Sequence, residues 1–543
     1  MNGERIDCLL IGNNQMVFSE YVDNIKKMGV GSGAYRDLNL SFIESDGKAC
    51  SLSDLYNRQF PANVHGLLNY NNIFSATVGY LGTFLHRKGL SFDFINSFQE
   101  EKEYLADMLV QRKVMAIAIT TTYYVSVLPI LEIMDFIKAR NTHVKIILGG
   151  PFIANQIKSL DQPSTYYLLK QIGADFYINS SQGELALTKL LYAIKNNTSC
   201  NNIDNVIYRE ADSYISNKIS REENDLKSNL VDWNLFKNLG KRMVSVRTAI
   251  SCPFSCAFCG FPHNAGEYTY IAPEYICSEL DLIDMQPHIN SVNFIDDTFN
   301  VPVNRFKEIL RLFIDKKYKF KWNSHFRCQY ADEETILLMK EAGCEGVFLG
   351  IESGSQRILE NMNKKTSIEA YYRGIELLKK YGIISYASFI VGFPGETDET
   401  VKDTINFIET AKPDFYRTQL WYYDLMTPIH ELKDKYKLRN SQFEWTHSTM
   451  NAKEAADWID YIFLNVRNSI WLPQNDFDYP GLFNLLSRGW PISEVKAYIT
   501  SFNELVRQKF EGSYKTSRSI EDNGADDDSF AGSLSGLDAE FDF

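Results

Sequence analysis

The 543-residue chain reads as an α/β protein in two parts. The first is an N-terminal doubly wound, Rossmann-like domain over 1–200. A partial (β/α)6, TIM-like barrel follows over 244–424, with a helical region at 425–510. Three observations predict this. Short apolar runs alternate with amphipathic stretches along the first 200 residues. A second series of such units starts near residue 244. Hydrophobic residues make up 45% of the chain, enough for several cores.

Each element has its own signal. Residues 6–12 (IDCLLIG) form the first apolar run. Residues 75–89 are amphipathic and end on Gly89, a helix stop. Strand-like runs follow at 91–95, 114–120, 144–149 and 175–178, separated by helical patterns at 129–139 and 183–194. Apolar strands spaced by helices predict βαβ units and a parallel sheet covered on both faces. Residues 15–73 are too long for an ordinary βα loop and predict an insertion with its own structure, placed over the ligand. Residues 201–243 are polar and read as a linker with a short strand at 204–208. Six strands are predicted in the second part, at 244–250, 290–296, 320–326, 346–351, 384–391 and 415–421. Repeated βα units of this kind make a barrel whose chemistry sits at the C-terminal strand ends. The acidic, Gly- and Ser-containing end (511–543) has the composition of a disordered tail, with a partner-binding peptide as the alternative.

The net charge of -13 excludes a broad basic footprint for nucleic acid. No window approaches the ~18 apolar residues of a membrane span, and the N-terminus lacks a secretory pattern. A cytoplasmic protein is expected. Nine cysteines in such a chain do not make a disulfide framework. Six are scattered, and three sit within eight residues.

Those three are Cys252, Cys256 and Cys259, in SCPFSCAFCGFP directly after the predicted strand 244–250. Three thiolates can bind three irons of a cubane and leave the fourth iron open to a chelating substrate. The alternative is structural zinc with His263 as fourth ligand. Zinc takes a closed tetrahedron, usually of two short ligand pairs, and the x3–x2 spacing suits it poorly.

This segment resembles the signature of the radical S-adenosylmethionine (SAM) superfamily, including the aromatic Phe258 before the third cysteine. The resemblance implies a [4Fe–4S] cluster that cleaves SAM, with Phe258 near the adenine. It further implies that Asp296 and Asp297 (NFIDDTFN) receive the SAM amino group and Arg327 its carboxylate. Glu352 and Ser353 (LGIESGS) would meet the ribose, and Gly392 and Gly395 (GFPGET) would let the backbone approach the adenosyl group. Helix capping, surface ion pairing and turn chemistry are the ordinary uses of these residues.

In the first domain, loops at the C-terminal sheet edge are the place for a ligand. They carry Asn13, then Thr120, Thr121 and Thr122, then Gly149 and Gly150. The run SSQGE adds Gln182, Gly183 and Glu184 at a helix start, where backbone N–H groups suit a phosphate. By residue chemistry alone, flavin, nucleotide or no ligand stay open. An α/β domain directly before such a barrel resembles the cobalamin-binding class of radical SAM enzymes, which implies cobalamin at these loops. The chain has no Asp-x-His-x-x-Gly, so no protein histidine is expected below the cobalt; His86 ends a helix without the Asp. Stretches such as DCLLIGNNQM, VGSGAYRDLNLSF and ITTTYYVSVLPILEI are similar to the radical SAM P-methyltransferases of phosphinothricin-type biosynthesis.

The resemblance implies transfer of a methyl from SAM, by way of methylcobalamin, to an unactivated carbon or phosphinate phosphorus. The substrate would be small or carrier-bound, and a flavodoxin- or ferredoxin-like donor would supply electrons. Tyr123, Tyr386, Tyr422 and His430 are candidates to line the substrate cavity. A non-methylating rearrangement or cyclisation, and a non-catalytic cobalamin- or zinc-binding module, are the alternatives.

Overall fold

The run VMAIAIT is apolar and partly β-branched, and as Val114–Thr120 it forms an inner strand of a seven-stranded sheet. The computed structural model describes residues 6–60, 68, 73–111, 113–124, 126–211, 213–236, 239, 242–473 and 477–522. Five strands of this first sheet are parallel, in the order Phe176–Ile178, Lys145–Gly149, Val114–Thr120, Ile6–Asn13 and Phe92–Ser97. Leu10 lies beside Ala118 and Phe94 in register. Cys8 and Leu10 face one core and Leu9 and Ile11 another, which is why the strand is apolar throughout.

Two further features shape this domain. Val206–Glu210 and Ser213–Ser216, inside the segment read as a linker, add an antiparallel hairpin to the sheet edge. The first sheet therefore extends to Ser216. The 15–73 insertion has structure of its own, with helices Phe18–Lys26, Gly33–Leu38 and Leu52–Gln59 and the hairpin Phe42–Ser45/Lys48–Ser51. It packs against the C-terminal half of the chain. Arg36 pairs with Asp457 at 2.8 Å and with Asp460. Lys509 donates to the Phe42 carbonyl at 2.7 Å, and the Tyr56 and Trp490 rings lie 5.5 Å apart.

The second sheet has eight parallel strands and does not close. Its order is Ile470–Trp471, Phe415–Leu420, Ile384–Val391, Cys344–Glu352, Lys321–His325, Ser291–Phe294, Met243–Val246 and Ile73–Phe74. The six predicted strands are there. The two end strands are two residues long, too short to leave a periodic signal. The predicted strand 244–250 splits: Ala249–Ile250 leaves the barrel to pair with Thr269–Tyr270. Aromatic packing from Phe74, Phe94, Trp233 and Phe236 joins the barrel core to the first sheet. The C-terminal region is mostly helical, and its last helix, Ile492–Asp522, passes the expected limit at 510. Residues 523–543 lie outside the described residues.

Candidate active site

The cysteine loop hangs between two anchors. Behind it, the buried Asp296 carboxylate accepts from Thr248 N at 2.7 Å, Ala249 N at 2.9 Å and the Thr248 hydroxyl. Arg305 adds a bond to Thr248 Oγ1 at 2.9 Å. Asp296 thus holds the chain before Cys252. In front, Ala257 N donates to Met362 O at 2.8 Å and Ile429 N to Ala257 O at 2.9 Å.

Within the loop, Cys256 is buried while Cys252 and Cys259 are half-buried. Burial pushes the Cys259 thiol up to about 11, with Cys256, Asp297 and Cys252 adding in the same direction. Burial raises Cys252 also, against a pull from the Arg327 guanidinium. Thiols this reluctant to ionise alone become ligands when a metal displaces their protons. Among the described residues no three His, Cys, Asp or Glu side chains gather round one point, as ligands of a single ion do. His263 is exposed on the short helix Phe261–Ala265. A cubane, by contrast, takes each thiolate on a different iron.

The residues expected around SAM sort into two groups. Asp297, Phe258, Arg327 and Glu352 stand at the loop. Asp297 has surface open to the barrel mouth, yet its walls and the neighbouring Asp296 push its carboxyl up to about 7. Arg327 is buried, stacks 3.6 Å over Phe254 and donates to Lys364 O at 2.8 Å; among the described residues its Nε has no partner. Glu352, in left-handed backbone (φ 68°), takes a bond from Lys364 Nζ at 2.8 Å.

The second group has other work. Ser353 is fully buried, and its hydroxyl accepts from Ser355 N at 3.1 Å and meets Thr404 Oγ1 at 3.4 Å, so it shapes the turn. A Cβ on Gly392 would sit 2.5 Å from Trp445 Cζ2 and 2.8 Å from Ala455 Cβ, and one on Gly395 would strike the Asn361 amide. Both glycines take left-handed backbone (φ 93° and 96°), which strains any other residue, and at Gly392 the packing of Trp445 and Ala455 adds to that demand.

Beside Phe258 lies a cavity of about 270 Å³, lined by Gly260, Ile390, Gln419, Leu420, Trp421, Tyr422, Asp424 and Thr427 as well. Sequence reading missed Ile390, Gln419 and Lys364. The first two lie near the ends of predicted strands; Lys364, in an NKKT run, looks like a surface lysine. Of the substrate candidates, Tyr422 lines this cavity. Tyr386 is buried against Tyr479 (5.8 Å), and His430 Nδ1 bonds Tyr423 Oη at 2.7 Å.

Two helices of the first domain, Pro151–Ser159 and Ala76–Arg87, meet the barrel beside the cysteine loop. Lys158 Nζ reaches Asn264 at 2.6 Å, and Arg247 N donates to Tyr80 Oη at 2.9 Å. Tyr123 is 40% exposed, and the nearby Asp478 carboxylate adds to the effect of burial in raising its phenol. Several residues expected to touch a ligand are tied inward. Thr120 Oγ1 donates to Gly12 O at 2.8 Å and Thr121 Oγ1 to Gly149 O at 3.0 Å. Asn13 is buried, and its carbonyl accepts from Phe98 N at 2.8 Å. Gly150 (φ 118°) packs on Thr121, where a Cβ would lie 2.8 Å from Oγ1. Thr122 is open at the edge, 3.1 Å from Thr77 Oγ1, and Gly149 is half-buried.

At the SQGE corner the chain bonds to itself. Glu222 caps the helix Glu184–Asn196, accepting from Leu185 N at 2.9 Å and Ala186 N at 3.0 Å. Gln182 Oε1 accepts from Asn224 N at 2.9 Å, and Glu184 is buried and bonded to Asn224 at 3.0 Å. Gly183 supplies the left-handed turn (φ 82°). A carboxylate of the chain itself fills the place expected for a phosphate.

A three-cysteine loop at the mouth of an open parallel barrel defines a class of iron–sulfur protein built on this scaffold. Residues 247–408 match the model of the Radical SAM superfamily. An uncharacterised methyltransferase of Pyrococcus horikoshii is 27% identical over 300 residues, 52% of this chain and 63% of the relative. An anaerobic magnesium-protoporphyrin IX monomethyl ester cyclase of Rubrivivax gelatinosus is 24% identical over 280 residues, half of each chain. The chain thus spans between half and two thirds of the length of these relatives. Its fold is shared with the radical SAM methyltransferase TsrM of Kitasatospora setae, solved with cobalamin and a [4Fe–4S] cluster. That match has TM-score 0.61 and 15% identity, and covers 81% of this chain and 97% of the other. The cobalamin-dependent SAM radical enzyme OxsB aligns with TM-score 0.52 and 18% identity over 67% and 52% of the two chains. Among the described residues no helix is long and apolar enough to cross a membrane.

Proposed function

We propose that the chain is a cobalamin-dependent radical SAM methyltransferase acting on an unactivated carbon or phosphinate phosphorus of a small or carrier-bound intermediate. The observation that carries this reading is the three-thiol loop after the barrel strand Met243–Val246, with the first domain packed beside it through Lys158–Asn264 and Tyr80–Arg247.

The residues suit the groups. Cys252, Cys256 and Cys259 supply three soft ligands and no fourth, which suits a [4Fe–4S] cluster with one open iron. Asp297 is the carboxylate placed for the SAM amino group, and Arg327 has a donor to spare for its carboxylate. Phe258, Ile390 and Gln419 wall a cavity large enough for adenine. Thr122, Tyr123 and Gly149 remain as the open surface for cobalamin. When bound, the cluster supplies the electron that cleaves SAM, and cobalamin carries the methyl group. The protein binds, orients and keeps water out, a role the apolar walls around Phe258 and Tyr422 serve. The similarity to P-methyltransferases supports phosphorus as acceptor, and the cyclase relatives support a second reading without methyl transfer.

The test is anaerobic reconstitution of the full chain with iron, sulfide and cobalamin, then incubation with SAM, reductant and candidate P–H and C–H substrates. A product heavier by one methyl, with S-adenosylhomocysteine and 5′-deoxyadenosine both formed, is the expected result. Cys256→Ala should lose the cluster and all SAM cleavage yet keep cobalamin; 5′-deoxyadenosine from that variant refutes the assignment. An altered product without added methyl selects the second reading.

A further inference from the structure

Three consecutive residues after the strand Cys344–Glu352 each hold a different part of the cysteine loop. Met362 O accepts from Ala257 N at 2.8 Å. Asn363 Nδ2 donates to Ser255 O at 2.8 Å. Lys364 is 7% exposed, and its ammonium lies 5.5 Å from the Phe258 ring centroid while donating to Glu352 Oε1 at 2.8 Å. Left-handed backbone at Asn363 (φ 52°) and Lys365 (φ 56°) turns the segment so that all three reach inward. Arg327 completes the frame: it stacks on Phe254 and bonds the Lys364 carbonyl. Two buried cations thus sit on the two aromatic residues that flank Cys256.

Burying an ammonium is unfavourable, and one carboxylate with one aromatic face is a spare set of partners for it. A lysine needed only for packing would be better replaced by an apolar side chain of the same volume. We propose that Lys364 is a positioning residue. Its charge fixes the Phe258 wall of the nucleoside cavity and the Glu352 carboxylate, and raises the reduction potential of the adjoining cluster. The proposal rests on the radical SAM reading above. A cation close to a cluster stabilises its reduced, more negative form, and buried charge is screened far less than surface charge.

The test uses the full chain, reconstituted anaerobically, with SAM binding by equilibrium dialysis and cluster potential by a redox titration followed by electron paramagnetic resonance. Lys364→Met should weaken SAM binding about tenfold, the size of one charge-assisted contact. It should also move the potential in the negative direction, and Lys364→Arg should restore both. Glu352→Gln, which leaves the ammonium uncompensated, should move the potential the opposite way and serves if Lys364→Met does not fold. An unchanged potential in either variant, or an Arg variant that behaves like Met, overturns the proposal. A wild-type chain that forms no cluster defeats the radical SAM reading instead, so the two failures are separate.

Discussion

Replacing Gly392 with alanine separates packing from ligand approach as the reason for that glycine. The native φ of 93° lies where a non-glycine residue is strained, at about 1–2 kcal/mol. The added Cβ would press on Trp445 Cζ2 at 2.5 Å and on Ala455 Cβ at 2.8 Å. Trp445 cannot swing aside, because its Nε1 bonds Trp421 O at 2.7 Å and its ring stacks on His447 at 5.1 Å. Overpacking a rigid core of this kind costs about 1–3 kcal/mol more. Together the variant should lose about 3 kcal/mol from the barrel transition in urea, read by tryptophan fluorescence, since Trp421 and Trp445 both sit at the lesion. SAM affinity of the still-folded protein should stay within about twofold, less than half a kcal/mol. A variant of native stability that fails to bind SAM would refute the packing account and reinstate the nucleoside role.

Three further outcomes follow from the same geometry. Burial pushes Glu396 up to about 8, from an ordinary value near 4.5, against hydrogen bonds from Gly392 and Phe393. The folded state therefore keeps a proton that the unfolded chain releases, and stability falls as pH rises from about 4.5 to 8. Glu396→Gln should remove one proton from the slope of urea midpoint against pH over that window; an unaltered slope contradicts the assignment. Arg36→Ala should free residues 18–59, because Asp460 loses its cation in a half-buried setting, at a cost of about 1–3 kcal/mol. Faster amide exchange in that segment, with none in the first sheet, is the expected reading. Glu222→Gln should weaken the cap on Glu184–Asn196 by about 1 kcal/mol. It should leave cobalamin content unchanged; loss of cobalamin would return a ligand to that helix end.

Much of the architecture was legible because period and position coincide. Long strands such as Ile384–Val391 are apolar at nearly every residue, and the cysteine triplet follows the first of the barrel strands. The details that escaped depend on partners far away in sequence. The demand for glycine at 392 comes from Trp445, and the commitment of Asp296 comes from Thr248 and Arg305. Lys364 hides because a lysine beside another lysine has the composition of a surface turn. Glu222 hides in a polar stretch that reads as a tether, although it closes a helix. The insertion was readable as structured, but its destination was not. Arg36 and Asp460 are joined only by the fold.

The strand Ile73–Phe74 makes the two halves inseparable. The chain leaves the first sheet after Asn13, crosses to brace the far helices, lends the barrel its edge strand, and only then returns as the helix Ala76–Arg87. A fragment starting at residue 242 would expose one backbone edge at Met243 and Val244 and strip cover from Trp490, while one ending at Ser216 would carry an orphaned arm. Dissection at the apparent junction should give aggregates, whereas the two pieces made together should find each other.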